Sequence, residues 1–375
     1  MLSFLFLSSG LFLGWSLGAN DAANIFGTAV GSGMLKFRTA AVVVSIFIVI
    51  GAAFAGGGTS ETLEHLGSVN ELAGAFIVAL AAAIAVYFMA RLRLPVSTSQ
   101  SIVGSIVGWN LFSGNETDLS ILAQISSTWI IAPVMAACFS IVVYKIVKFI
   151  LTHIHIHILK VDYYNRLGFL FVGAFGAYSL GANNIANVMG VFVPVSPFKT
   201  YNSTLLSLSS VDMLFLIGSF AIVAGVVSYS AGTMKTIGKD ITELSPVAGL
   251  VVVSASSLVL FIFSSIELQS LLSAVGLPTL PLVPVSSSQA AVGAILGIVI
   301  LKGGRGVNYR LVGKIAAGWV ITPIAACLLS VVSLFVMQNV FKQQVYKPAE
   351  YSNALQISPS YCLHQADDDL LFAND

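Results

Sequence analysis

The stretch Gly18-Ala19-Asn20-Asp21-Ala22-Ala23-Asn24 recurs as Gly181-Ala182-Asn183-Asn184-Ile185-Ala186-Asn187. Both copies lie within long apolar runs. Amides and carboxylates are costly inside a bilayer and are seldom kept there without a use. A polar heptapeptide placed twice in such sequence predicts one binding site built from two related halves, in a membrane protein that moves a small ion.

Composition carries the bilayer reading. Of 375 residues, 57% are hydrophobic and 9% charged, and the mean hydropathy is +0.93. Too few charges remain to cover a soluble protein of this size. In lipid, every backbone polar group must pair internally. Long unbroken apolar runs favour helices over the short alternating strands of a barrel. The net charge of +1 excludes nucleic acid as a partner. Cys138, Cys327 and Cys362 lack metal-ligand spacing, and the first two are expected to be packing residues. The first apolar segment has no basic n-region, so it is read as a mature helix and not as a signal peptide.

Ten principal apolar segments are expected, at about 2–34, 39–57, 71–90, 96–112, 120–147, 166–195, 211–231, 246–266, 285–301 and 311–338. The first and sixth exceed one straight crossing of about 20 residues. They are expected to be broken helices, interrupted at the Gly-Ala-Asn motif. A Pro- and Gly-containing piece at 268–283 is expected to be re-entrant, which allows 10–12 segments in all. If the segments alternate, one side collects Lys36, Arg38, Arg91, Arg93, Lys145, Lys148, Lys160, Arg166, Lys235, Lys239, Lys302, Arg305, Arg310 and Lys314. The other side holds only Lys199, Lys342 and Lys347. The positive-inside rule makes the rich side cytoplasmic, with both termini outside. The expected setting is the cell's inner or plasma membrane, crossed many times.

The chain is also duplicated. Gly58-Thr59-Ser60-Glu61-Thr62 pairs with Gly232-Thr233-Met234-Lys235-Thr236, and Pro95-Val96-Ser97-Thr98-Ser99-Gln100 pairs with Pro284-Val285-Ser286-Ser287-Ser288-Gln289. Trp129 with Pro133 matches Trp319 with Pro323. The order is preserved. The expected fold is therefore an all-α polytopic membrane protein of two five-crossing repeats, residues 1–150 and 166–340. Because five is odd, the second repeat must enter the membrane inverted. Inverted repeats with broken helices place a binding site near the midplane, at the repeat interface. Residues 151–165 form a cytoplasmic linker in this reading. Its His153, His155 and His157 would diverge on a helix, since neighbours two apart point about 200° apart. Residues 341–375 are read as a polar, poorly ordered tail.

Two constellations carry chemistry. Asn20, Asp21, Asn24, Asn183, Asn184 and Asn187 offer amide oxygens and one carboxylate, hard ligands suited to a small cation. The bland alternative is polar glue between helices. Thr98, Ser99, Gln100, Ser287, Ser288 and Gln289 sit in two Ser-rich runs, each after a proline and before an apolar segment. Such runs cap helix N-termini, and a helix N-terminus offers free N–H donors and partial positive charge to an anion. The bland alternative is a cap alone. No Lys or Arg falls deep in an apolar segment, so an oxyanion there would need co-bound cations. Phosphate carries about −1.5 to −2 near neutral pH. With Asp21 the site nears −3, which roughly two or three monocations would balance. Symport follows from that balance.

These doubled motifs, from Gly18 to Thr28 and in the paired Pro-Val-Ser-x-Ser-Gln runs, resemble those of the inorganic phosphate transporter family over about residues 10–335. The resemblance implies a cation-coupled phosphate symporter with inverted repeats, often a homodimer, with sulfate carried by some relatives. It departs at Asn184, where the family keeps an Asp, and at Ile48, where the family commonly has a Glu. The expected function is sodium-coupled phosphate import by alternating access. The cation ligands are Asn20, Asp21, Asn24, Asn183, Asn184 and Asn187; the phosphate ligands are Thr98, Ser99, Gln100, Ser287, Ser288 and Gln289. No catalytic residue or bound cofactor is expected. The alternatives are proton coupling through Asp21, sulfate as cargo, and an ion channel. An enzyme is disfavoured, because no His or Cys falls near either motif.

Overall fold

The computed structural model describes residues 2–91, 96–154, 157–202, 207–240, 244–304 and 308–348. The chain is almost wholly helical: α1 (Leu2–Gly31), α2 (Phe37–Ala55), α3 (Gly57–Leu66), α4 (Leu72–Arg91), α5 (Thr98–Ser113), α6 (Leu119–His153), α7 (Ile158–Met189), α8 (Ser210–Asp240), α9 (Pro246–Ser264), α10 (Ile266–Ala274), α11 (Ser287–Leu301) and α12 (Tyr309–Asn339). A two-stranded ribbon pairs Tyr201–Asn202 with Ser207–Leu208. Seven of the described helices are long and apolar enough to cross a membrane. At 1.5 Å per residue, the 16 residues of α5 and 15 of α11 span roughly 24 and 22 Å, short of a hydrocarbon core of about 30 Å. Each is preceded by extended backbone, with Ser97 at φ −100° and ψ 112° and Ser286 at φ −80° and ψ 115°.

Breaks do occur, but not where the sequence reading put them. α1 and α7 run unbroken through the Gly-Ala-Asn motifs. The interruptions fall at Gly56, between α2 and α3, and ahead of α5 and α11. The motif glycines serve close approach instead. A Cβ on Gly18 would lie 1.9 Å from the Ile222 carbonyl oxygen, and one on Gly181 would lie 2.3 Å from that of Ile48. Small residues at such crossings let helix backbones touch, the main packing device where lipid removes the hydrophobic drive between helices.

The same device repeats across the two halves. Gly225 of α8 meets the Trp15 carbonyl of α1, and Gly51 of α2 meets that of Tyr178 on α7. Gly104 of α5 meets the Pro323 carbonyl of α12, and Gly293 of α11 meets that of Pro133 on α6. Helix α1 thus packs along α8, and α7 along α2; α5 packs along α12, and α11 along α6. The halves are interleaved, each completing the other. Ile48, at the second departure from the family pattern, is fully buried where its carbonyl receives Gly181.

Other expectations need correction. The linker 151–165 is mostly absorbed into α6 and α7. His153 leans back on its own helix, its ring 4.0 Å from that of Phe149, and His155 lies outside the described residues. The tail begins docked: the Trp109 indole donates to the Val345 carbonyl (3.1 Å), and Asn70 bonds both the N–H (2.9 Å) and the C=O (3.0 Å) of Lys347. Lys347 also pairs with Glu71 at 3.2 Å. Residues 349–375, with Cys362, lie outside the described residues, as do Arg93, Pro95 and Arg305. Cys138 is exposed and not a packing residue. The outward rows of α6 (Ile130, Val134, Val142) and α12 (Val320, Ile324, Leu328) are apolar and exposed, as expected of faces turned to lipid.

Candidate functional site

Each Ser-rich run begins a helix as its chemistry requires. Ser97 Oγ accepts the Gln100 N–H at 3.1 Å, and Ser286 Oγ accepts the Gln289 N–H at 3.2 Å. These are side-chain N-caps, and they leave the other first-turn donors of α5 and α11 without helical partners. The two helix starts are tied to each other reciprocally. Ser99 Oγ donates to the Val285 carbonyl (3.2 Å) and Ser288 Oγ to that of Val96 (3.0 Å). Two partial positive ends are therefore held side by side in the buried interior.

The Asn-rich motifs of α1 and α7 close on this junction. Asp21 Oδ2 accepts the Ser287 hydroxyl at 2.9 Å, while Asp21 Oδ1 accepts from the Asn20 amide at 3.2 Å. Asn24 donates to Ser287 Oγ (3.2 Å). Asn187 donates to Ser99 Oγ (2.8 Å) and to Asn184 Oδ1 (2.9 Å). Thus all twelve sequence-predicted residues lie in or beside one polar cluster. Eleven are buried; Asn20 alone is partly exposed. Among the described residues, Asp21 is the sole buried carboxylate, and no buried Lys or Arg accompanies it.

Several polar atoms in this cluster lack a protein partner. They are Thr98 Oγ1, Gln100 Oε1, Gln289 Oε1, Asn184 Nδ2 and Asn187 Oδ1. Leaving such groups buried and unpaired costs about 1–3 kcal/mol each, so their clustering marks a place meant for a ligand. One predicted residue is differently employed. Asn183 spends both ends of its amide on the backbone of Val285, donating to its C=O at 2.7 Å and accepting its N–H at 2.9 Å. In this arrangement it braces the strand-like lead into α11 and has no oxygen free for a cation.

Sequence reasoning noticed one further segment without assigning it to the site. Thr59 of α3 donates to the Ala182 carbonyl inside the second motif (3.3 Å), and Thr62 Oγ1 donates to the Leu282 carbonyl ahead of α11. The repeat of Gly58–Thr62 at Gly232–Thr236 was its signal; only the break at Gly56 shows why the first copy turns inward.

The sequence profile of the Phosphate transporter family matches residues 17–164, 157–330 and 269–373. The chain belongs to the phosphate transporter family. A protein named a phosphate permease in Methanocaldococcus jannaschii is 27% identical, across 84% of this chain and 90% of its own. The inorganic phosphate transporter 2-1, chloroplastic, of Arabidopsis thaliana is 25% identical, across 88% of this chain and 71% of its own. A solved structure titled the sodium-dependent phosphate transporter superposes with a TM-score of 0.72 at 21% identity, covering 90% of this chain and 99% of that one. The fold of this transporter is therefore that of a multi-pass phosphate-transporter protein, and the paired helix starts with their Asn-rich neighbours are its candidate binding centre.

Proposed function

We propose that the chain imports inorganic phosphate together with sodium, by alternating access between two inverted repeats. The observation that carries this reading is the buried meeting of the α5 and α11 N-termini beside a single carboxylate. Helix N-termini attract anions. Here they are flanked by Thr98, Ser99, Gln100, Ser287, Ser288 and Gln289, whose hydroxyls and amides complete an oxyanion cradle. Asp21 with Asn20 and Asn24 forms one cation locus, and the amides of Asn184 and Asn187 offer a weaker, uncharged one. An anion entering this site adds its charge to that of Asp21. With no buried basic side chain among the described residues, bound monocations supply the balance.

Sodium suits the ligand set better than a proton does. Neutral oxygen ligands around one carboxylate coordinate a dehydrated monocation, whereas a proton would occupy Asp21 alone and leave the amides idle. The exchanged pairing of helices between halves supports the inverted repeat. In this reading the α6–α7 turn is cytoplasmic, in the plasma or inner membrane, and the homodimer implied by the resemblance would cover part of the apolar faces of α6 and α12.

The test is uptake of labelled phosphate and of labelled sulfate into proteoliposomes, with sodium and pH gradients imposed separately. Phosphate uptake driven by inward sodium supports the proposal. Uptake that ignores sodium and collapses with the pH gradient assigns the coupling to protons. Preference for sulfate replaces the cargo, and failure of counter-flow exchange assigns a channel.

A further inference from the structure

The repeat pairs Asn20 with Asn183, Asp21 with Asn184, Val96 with Val285, and Thr98 with Ser287. The bonds made by these pairs are unequal. Asn183 grips both backbone groups of Val285. Its counterpart Asn20 does not reach Val96; its amide turns to Asp21 Oδ1 and the residue is partly exposed. Ser287 donates to Asp21. The counterparts, Thr98 Oγ1 and Asn184 Nδ2, are both buried and both without a partner. The lead into α11 is therefore held from α1 and from α7 at once, while the lead into α5 is held from neither by the matching bonds.

Two orphaned groups at positions equivalent to a made bond are what a two-state element leaves behind when one state is occupied. We propose that Asn20 and Asn183 are reciprocal positioning residues, latches that alternately clamp the backbone of Val96 and of Val285. In this structure the Val285 latch is closed and the Val96 latch open. In the opposite state Asn20 clamps Val96, Thr98 bonds Asn184, and Asn183 and Ser287 let go. This rests on the inverted-repeat transport reading, which puts the lead into α5 on the basic, cytoplasmic side after Arg91 and the lead into α11 on the other. The observed arrangement is then the one closed to the outside and unlatched toward the cytoplasm. Because the latches grip backbone, the side chains of Val96 and Val285 are free to carry reporters.

The experiment uses the full chain with Cys138, Cys327 and Cys362 replaced by serine and a single cysteine introduced by Val285→Cys or Val96→Cys. A membrane-impermeant thiol reagent is applied from either side of proteoliposomes. Asn183→Ala is expected to raise labelling at 285 from outside about tenfold, the factor that follows from losing roughly one or two net hydrogen bonds, and to lower labelling at 96 from the cytoplasmic side. Asn20→Ala is expected to do the reverse, and the double variant to return toward the parent ratio. Loss of a merely structural contact would loosen both segments alike, so changes of the same sense at both reporters, or no change in their ratio, overturn the latch. If Asn183→Ala does not fold, Asn20→Ala still reads its own opposite shift. Parent phosphate uptake is measured in the same vesicles. Reciprocal shifts without uptake would sink the phosphate reading and keep the latch; uptake without reciprocal shifts would sink the latch alone.

Discussion

Replacing Asp21 by Asn removes the one formal charge in the buried cluster while preserving its shape. Asn is isosteric, and its Oδ1 can still accept the Ser287 hydroxyl that now lies 2.9 Å from Asp21 Oδ2. The fold should therefore survive. A monocation about 4 Å from a carboxylate gains roughly 4 kcal/mol at an effective dielectric near 20. Part of that is returned, because the bare carboxylate was paying to be buried without a basic partner. A net loss of roughly 2–3 kcal/mol remains, so the half-saturating sodium concentration should rise roughly 30- to 150-fold. The assay is the sodium dependence of labelled phosphate uptake in proteoliposomes, run beside thermal unfolding in detergent without sodium. Uptake at ordinary sodium should nearly vanish, while the sodium-free melting temperature stays the same or rises. Wild-type sodium dependence in Asp21→Asn would refute the charge argument. So would an equal collapse of fold and uptake, which would make Asp21 a structural residue.

Gln100→Ala and Gln289→Ala should raise the KM for phosphate more than they alter sodium dependence; the converse, read from the same uptake curves, would exchange the two loci. Gly181→Ala forces a methyl to 2.3 Å from the Ile48 carbonyl oxygen, a backbone clash that should cost at least the 1–3 kcal/mol typical of overpacking, about. Gly313→Ala, where a Cβ meets nothing within 4 Å, should leave the melting temperature unchanged or slightly higher, and comparable melting of the two variants would deny the close approach. Asp118, which caps α6, is held below the usual carboxylate range by the hydrogen bond from the Ser120 hydroxyl and then by the Ile121 N–H. A depressed value means the cap stabilises above the ordinary carboxylate pKa and is lost as pH falls through the folded one. The melting advantage of wild type over Asp118→Ala should accordingly be present at neutral pH and fade in acid, and an advantage that persists in strong acid would contradict it.

The doubled polar motif, the apolar runs and the asymmetry of basic residues were enough to read a duplicated, helical, multi-pass protein. Each follows from local physics: what lipid tolerates, what a helix N-terminus attracts, which side keeps its lysines. The same local physics misread two places. Gly-Ala-Asn looked like a helix break, yet α1 and α7 stay intact there, because those glycines answer to a backbone on another helix. Residues 343–348 looked like free tail, yet Trp109 and Asn70 capture their backbone, and hydrogen bonds to backbone leave little trace in side-chain composition.

From the sequence alone came the identity of the twelve polar residues and their division into two related sets, since burying amides, hydroxyls and a carboxylate in lipid is expensive wherever they end up. Only the tertiary structure decided their employment. It set the first-turn groups of α5 against those of α11, gave Asp21 to Ser287 across 266 positions of chain, and spent Asn183 on Val285 while leaving Asn20 free of Val96. Two copies of one motif can be chemically equivalent in sequence and still differ in bonding, because a site shared by two repeats satisfies one arrangement at a time.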